Sequence, residues 1–474
     1  MNRKSIELYP DYTSELEELK TNGLSLELLY RIIKKHYFNS RYNRKLYRRY
    51  MTLDDELPIF KRQPAFKEGN QINNRINNDF FSEIVDFKTG YFAGEPISYG
   101  YSKGAEAESV TGGEVAVDRA TKAVTDFVTL NNMFGVDMET TKFASIYGYA
   151  GRLFYIDPNG DVRVTPVHGY ETIILSSTDI SEPEFAIRYY LVQEQNLVKK
   201  WVVEFYDNTE VYTFKGYLSK LEFVEKREHL FDYCPLQGIA NNKELMGDAE
   251  KVLSLIDDYD KVLSDNSNEV ESFVHAYMVF KNLNVDNDTI REAQRNGAIK
   301  IPPVGSSNKE GSVEFLTKNI NDGFTEHHLD RLRDNIYRFS KTPNLNDDSF
   351  GSASGISLKF KLHGLETKCG MFEAKMMDAA QYMWKLLCAI WEKKNITVDP
   401  LQITMEFTRN FPLDTLTEAQ TVQALIGAGI PKEVAYSQLS FVDDVDYVME
   451  MIEKEKNDTP SLLDEDKVGV LFGF

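Results

Sequence analysis

Cysteine is scarce in this chain: 474 residues contain three, Cys234, Cys369 and Cys388, far apart and with no C-x-x-C pair. That excludes a disulfide framework or a thiolate metal knuckle as the organising device and fits a reducing compartment. Long apolar runs are absent as well. The most apolar stretch, MWKLLCAIW, is interrupted by Lys385 and falls well short of the roughly 20 residues that span a bilayer. The amino terminus, MNRKSIELYPDY, lacks the apolar centre of a secretory signal. Positive charge is in deficit, 54 Lys and Arg against 74 Asp and Glu for a net −20, which disfavours general adhesion to nucleic acid or anionic lipid. The expectation is a soluble intracellular protein. What the chain does have is 42% hydrophobic and 12% aromatic residues, enough for sizeable cores. Its length suggests about two to four subdomains.

The opening sixty residues are helical in period and unusually basic. RIIKKHYFNSRYNRKLYRRY carries eight Lys or Arg among twenty residues, with five aromatic residues interleaved. One reading is a stripe of cations and stacking rings for nucleic acid. The other is a helical arm docked on an acidic neighbour, and it is favoured because nothing else in the chain supports base readout. Further on, Ile72, Ile76, Phe80, Ile84 and Phe87 recur at three- and four-residue steps across NNRINNDFFSEIVDFKTGYFAGEPISY, which predicts one amphipathic helix. Gly94 and Pro96 stop it before a strand at ISYGYS. AEAESVTGGE reads as a loop and DRATKAVTDFVTLNNM as a helix.

From about residue 143 to 235 the period becomes two. GRLFYIDPNGDVRVTPV predicts a hairpin turning at Pro158, Asn159 and Gly160. ETIILSS, EFAIRYYLV, KWVVEFYDN and EVYTFKG follow as short strands. GDAEKVLSLIDDYDKVLSDNSNEVESF then places Val252, Leu255, Ile256, Tyr259, Leu263 and Val270 on one helical face. GFTEHHLDRLRDNIYRFSKTP does the same with Phe324, Leu329, Leu332, Ile336 and Phe339, ending before Pro343. Between these helices lies a compact insert: strand-like AYMVFKN, a short helix DTIREAQRNG closed by Gly297, then AIKIPP and SVEFLTK. Asn344 to Ile356 is polar, with three Ser, two Gly, two Asp and two Asn. It runs into a helix from about Ser354 to Lys394, capped by Ser354 or Ser357 and roughly 60 Å long. Gly364 and Gly370 predict a kink in it. LQITMEFTRNFP alternates as one more strand. From Asp414 to Phe474 the chain is helical in period, with thirteen acidic residues against four Lys.

Catalytic signatures fail one by one. There is no GxxxxGK[ST] to cradle phosphate. GSASG has the outline of a nucleophile elbow, but Ala353 occupies the nucleophile position. His327 and His328 are adjacent and lack metal-ligand spacing. DNDTIREAQ begins like a calcium loop and lacks its turn glycine. VDDVDYVME places carboxylates at a helix start, where they meet the dipole favourably. IGAGIPKEVAYSQL has helix-turn-helix shape, but its acidic surroundings cannot bind phosphates, so a helical hairpin is expected. No catalytic residue, metal site or cofactor is assigned.

The order of parts is more informative than any motif. It resembles the portal proteins of tailed bacteriophages, in particular the portal family common in siphophages of Gram-positive hosts. NNRINNDFFSEIVDFKTGYFAGEPISY, DDSFGSASGISLKFKLHGLE and ITMEFTRNFPLDTLTEAQ carry the resemblance, which covers roughly residues 25 to 455. It implies an α+β portal-type fold: an N-terminal helical arm (1–66), a β-rich wing (67–246), stem helices (247–274 and 321–343), a small α/β clip (275–320), a tunnel loop (344–355), a long kinked wing helix with a strand (356–413) and a helical acidic crown and tail (414–474). It also implies a non-enzymatic homo-dodecameric ring at one capsid vertex of the virion, assembled in the host cytoplasm without a membrane. Double-stranded DNA would pass through without sequence recognition, in packaging and in ejection. Terminase, a head-completion adaptor, scaffolding protein and major capsid protein would be the partners.

On this resemblance Asn346, Asp347, Asp348, Ser349, Phe350, Gly351 and Ser352 face the DNA channel, with the basic Lys341 and Lys359 beside it. Arg44, Lys45, Arg48 and Arg49 contact a neighbouring subunit or the capsid, and Lys309 and Glu310 dock the packaging motor. Gly351 and Gly355 give backbone freedom, while Asp347 and Asp348 repel phosphates. Phe350 is either a tip that touches DNA or an anchor for the loop, with the anchor favoured. The alternative function is an intracellular nucleic-acid-binding regulator that uses the basic N-terminal helix.

Overall fold

The computed structural model describes residues 10–53, 56–64, 72–101, 113–193, 199–274, 277–281, 288, 291, 312–316, 322–345, 355–410, 415–437, 439, 442 and 445–458. The chain forms two compact units, one of residues 1–345 and 362–410, the other of 346–361 and 411–474.

Along the chain come α1 (Thr13–Asn22), α2 (Leu26–Tyr50), α3 (Phe80–Ala93), β1 (Ser98–Tyr101), α4 (Gly113–Leu130) and α5 (Met133–Tyr147). β2 (Tyr149–Ile156) and β3 (Val162–Val167) form the expected hairpin. Its turn closes where Gly160, at φ +84°, donates its N–H to the Asp157 carbonyl at 2.9 Å. β4 (Thr172–Leu175), β5 (Phe185–Gln193), β6 (Lys199–Tyr206), β7 (Glu210–Tyr217) and β8 (Lys220–Glu228) make an antiparallel meander in sequence order. β9 (Leu236–Ala240) pairs with β2. α6 (Leu253–Val274) and α7 (Asp322–Ser340) flank β10 (Tyr277–Lys281) and β11 (Ser312–Leu316), which pair antiparallel. α8 (Gly355–Lys393) is followed by β12 (Ile403–Glu406), which pairs with β1 across some three hundred residues of chain. The α8 helix is continuous through Gly364 and Gly370.

The basic helix α2 has two sides. Leu28, Leu29, Ile32 and Ile33 are buried against the inner face of the meander, where Ile173, Leu175, Ile187, Tyr189, Val203 and Phe205 point. A helical stripe thus meets the alternate residues of strands. Ser25 caps the helix, its Oγ accepting the Leu28 N–H at 3.2 Å. A second core gathers around Trp384, Leu387 and Trp391 of α8, with Phe127 of α4 and Phe154 of β2. Between cores, the buried Arg152 of β2 pairs with Asp137 of α5 and donates from Nε to Thr140 at 3.0 Å. Tyr99 of β1 donates to the other Asp137 oxygen at 2.6 Å, so the buried charges are fully bonded.

One expectation is corrected. Ile72 and Ile76 are not helical: residues 72–79 are an irregular segment, and the helix starts at Phe80. Backbone N–H groups of Asn74, Ile76 and Asn78 donate to Asn268 (2.6 Å), Ser264 (2.9 Å) and Asp260 (2.8 Å) of α6. Four residues of helix rise about 6.0 Å and two extended residues about 6.6 Å, so side chains one turn apart match alternate N–H groups. The segment is a strap whose backbone bonds are made by side chains. Burial pushes the Asp260 carboxyl up to about 6, against the two Asn78 donors.

The second unit contains α9 (Thr415–Gly427), α10 (Lys432–Tyr436) and α11 (Val445–Asp458). Gly429, at φ +86°, ends α9, and the Ile430 N–H donates to the Leu425 carbonyl at 3.1 Å. This is the helical hairpin expected from IGAGIPKEV.

His36 provides a test of how α2 is docked. It is fully buried, with Nδ1 at 2.8 Å from the Tyr189 hydroxyl and Nε2 at 3.0 Å from the Tyr149 hydroxyl. Tyr149 donates onward to the Gly169 carbonyl at 2.5 Å, so it accepts from Nε2–H and the ring is neutral. Burial pushes the imidazole down to about 3. The unfolded chain therefore takes up the proton first, and stability falls as pH drops from about 6.5 toward 3. We expect a loss on the order of 3 kcal/mol between pH 7 and 4 from this group, absent in His36→Gln, as read by chemical unfolding across pH.

Candidate functional site at the roots of residues 346–354

The helix α7 ends in a tight cap. Thr342 N–H donates back to the Tyr337 carbonyl at 3.1 Å, and Lys341 takes φ +58°, a conformation that favours glycine. Its side chain is exposed, and Pro343 follows. Gly364 of α8 lies alongside: a Cβ there would sit 3.6 Å from the Lys341 Cβ. Lys359, also exposed, belongs to the second unit. Asn346 to Ser352, Lys309 and Glu310 lie outside the described residues, as do Ser354 as a cap and all of DTIREAQRNG except Asp288 and Arg291, which are helical.

Beneath the cap is a buried ionic node. Lys368 of α8 donates to the Ser340 carbonyl at 2.9 Å and lies 3.5 Å from Asp248 Oδ1. Lys88 of α3 is 3.0 Å from Asp248 Oδ2 and also bonds the Asn241 side-chain carbonyl. Ser145 of α5 donates to the same Asp248 oxygen at 2.6 Å. Burial alone would raise the Asp248 carboxyl, but Lys368 and Lys88 hold it well below the usual carboxylate range. Burial in turn pushes Lys368 down, with Asp248 opposing. Close by on α8, Glu366 accepts from Arg409 (3.1 Å) and Tyr91 (2.8 Å), and Arg409 reaches Glu373 at 2.5 Å. The end of α7 and the body of α8 are thus fastened to one polar core.

The basic residues of α2 are engaged within the chain. Arg44 lies 5.0 Å over the Tyr170 ring, and Lys45 is 4.0 Å from Glu56. Arg49 is buried and bidentate to Asp257, at 2.5 and 3.4 Å, while Arg48 is half-buried. Arg62 pairs with Asp265, about two helical turns further along α6. His328 is 3.6 Å from Asp258 and His327 is exposed. Among the described residues no group of His, Cys, Asp and Glu could hold a metal ion, and no helix is long and apolar enough to cross a membrane. Sequence reasoning missed the Lys88–Asp248–Lys368 node. Its signal was a lysine on the buried side of α3, among Ile84, Val85 and Phe92.

A family model described as "Phage portal protein, SPP1 Gp6-like" matches residues 31–461. The chain belongs to this portal protein family. The portal protein of Clostridium phage phiCD119 is 24% identical over 416 residues, 83% of this chain and 87% of that protein. The portal protein of Bacillus phage SPP1 is 24% identical over 409 residues, 82% and 78% respectively. Phage portal proteins are structural components of the virion capsid, and the match lends no support to a regulatory DNA-binding role. In this portal protein the basic stretch of α2 is joined to α6 through Arg49 and Asp257.

The Lys341 cap gives a direct check. Glycine accepts the left-handed conformation without penalty, so Lys341→Gly is expected to stabilise the folded chain by roughly 0.5–1 kcal/mol in equilibrium unfolding. A loss of stability would mean that the lysine side chain holds the cap.

Proposed function

We propose that the chain forms a dodecameric portal ring at one capsid vertex, through which DNA enters in packaging and leaves in ejection. The observation that carries the proposal is the run α6, β10–β11, α7, α8, lying inside the span matched by the family model. In this reading residues 1–66 are an arm, 67–246 a wing, 247–274 and 321–343 stem helices, and 275–320 a clip. Residues 344–355 are the tunnel loop, 356–413 the long wing helix with its strand, and 414–474 the crown and tail. Asn346 to Ser352 line the channel, with Lys341 and Lys359 beside it. Lys309 and Glu310 dock terminase and later the head-completion adaptor. Arg44, Lys45, Arg48 and Arg49 of α2 meet a neighbouring subunit or the capsid, and assembly with scaffolding and capsid protein takes place in the host cytoplasm.

The charge supports a conduit. A net −20 per chain, repeated around a ring, avoids neutralising phosphates. Each neutralised phosphate would release counterions and hold the DNA in place. Passage then depends on steric fit, independent of base sequence.

Purified protein examined by mass photometry and negative-stain imaging is expected to give rings many times the 54.4 kDa chain mass, with an axial hole. A uniform 54.4 kDa species that binds DNA tightly and with steep salt dependence would overturn the proposal.

A further inference from the structure

We propose that Lys88 and Asn241 become joined by an isopeptide bond that the folded chain makes on itself, with Asp248 moving the proton between them. Lys88 is 0% exposed and Asn241 2%. The Lys88 Nζ contacts the Asn241 carboxamide oxygen and stands 3.0 Å from Asp248 Oδ2. The other Asp248 oxygen is 3.3 Å from Asn241 Nδ2, and that nitrogen also donates to the Met246 carbonyl at 2.8 Å. This second bond fixes which way the amide faces, with its carbonyl toward the lysine. Asp248 is itself held twice by Ser145, accepting from its hydroxyl at 2.6 Å and donating its own N–H to the Ser145 carbonyl at 2.8 Å. The Phe372 ring lies 4.5 Å from Nζ and closes the site. An amine, a carboxamide and a carboxylate that reaches both are held together away from water, which is the arrangement amide exchange needs.

The chemistry balances without a co-reactant. Because Lys368 and Lys88 favour the Asp248 carboxylate, the reaction runs slowly, through the small fraction of molecules in which Asp248 has taken a proton from the Lys88 ammonium. The freed lone pair then attacks Asn241 Cγ. The Nζ–Cγ bond forms, the Cγ–Nδ2 bond breaks, and Asp248 returns its proton to the departing nitrogen. That nitrogen leaves as ammonium, carrying the second proton of Nζ. One ammonium and one primary amide become one secondary amide and one free ammonium ion.

Charge supplies the direction. Two buried ammonium groups, Lys88 and Lys368, contact one carboxylate, Asp248. An unpaired buried cation is unfavourable. Forming the amide exports one positive charge with the ammonium and leaves Lys368 and Asp248 as a matched pair. The bond would join α3 to the segment after β9 across 153 residues of sequence, a long loop closed in the unfolded chain.

Intact mass spectrometry of the purified full-length protein tests this. The expected mass is below the sequence mass by one ammonia, about 17 Da. A tryptic digest should contain one branched peptide joining Lys88 to Asn241, and Lys88→Arg and Asp248→Asn should return the chain to its sequence mass. Neither variant needs to fold for the outcome to count, because the wild-type digest decides it. A wild-type chain at full mass after prolonged incubation, with Lys88 cleaved normally by trypsin, overturns the proposal. So does an ammonia loss that maps to a succinimide at Asn159 or another asparagine before glycine.

Discussion

Asp248 binds elements that the chain delivers from widely separated places: Lys88 on α3, Ser145 on α5, Asn241 after β9 and Lys368 on α8. Through Lys368 it also holds the last carbonyl of α7, that of Ser340. Low dielectric makes each of these contacts strong and makes any missing partner costly. The node therefore tolerates one arrangement of the surrounding helices, and it fixes where α7 ends relative to the body of α8. The Phe92, Phe372 and Phe407 rings pack beside it, so the apolar core and the polar node constrain the same helices.

The helix α6 is held by a different principle. Toward the 72–79 strap it presents polar side chains. There Asp260, Ser264 and Asn268 replace the backbone partner that a strand would need, and Arg49 and Arg62 neutralise Asp257 and Asp265. A helix of strongly acidic composition is thereby fastened by directional bonds and charge, which set its register along its axis. That is the property demanded of a stem helix in the ring we propose.

Periodicity carried the elements whose neighbours are close in sequence. The β2–β3 hairpin follows from Asp157 to Gly160, the meander from its alternation, and α7 from Leu329, Leu332 and Ile336 facing inward before Pro343. The strap was misread because Ile72 and Ile76 are spaced as a helix would space them, while the acceptors that decide otherwise lie nearly two hundred residues on, in α6. The ionic node was invisible for the same reason. Lys88, Asp248 and Lys368 share no local pattern, and only the fold brings them together. The basic stretch of α2 showed its charge in sequence but not its partners, since Asp257 and Tyr170 come from elements far downstream.

With Ser340 and Lys368 tied to each other, the chain leaves α7 and continues along α8 at fixed points. The proposed adaptation to passing DNA is then assigned to residues 344–355 between them. Gly351→Pro tests that assignment most directly, because proline fixes φ there without removing a helical hydrogen bond from α8. Packaging of DNA into procapsids carrying this variant, measured beside ring formation, is the decisive measurement. The account predicts normal rings and procapsids with little packaged DNA. Packaging at the wild-type rate would contradict it and move the channel lining elsewhere in the chain.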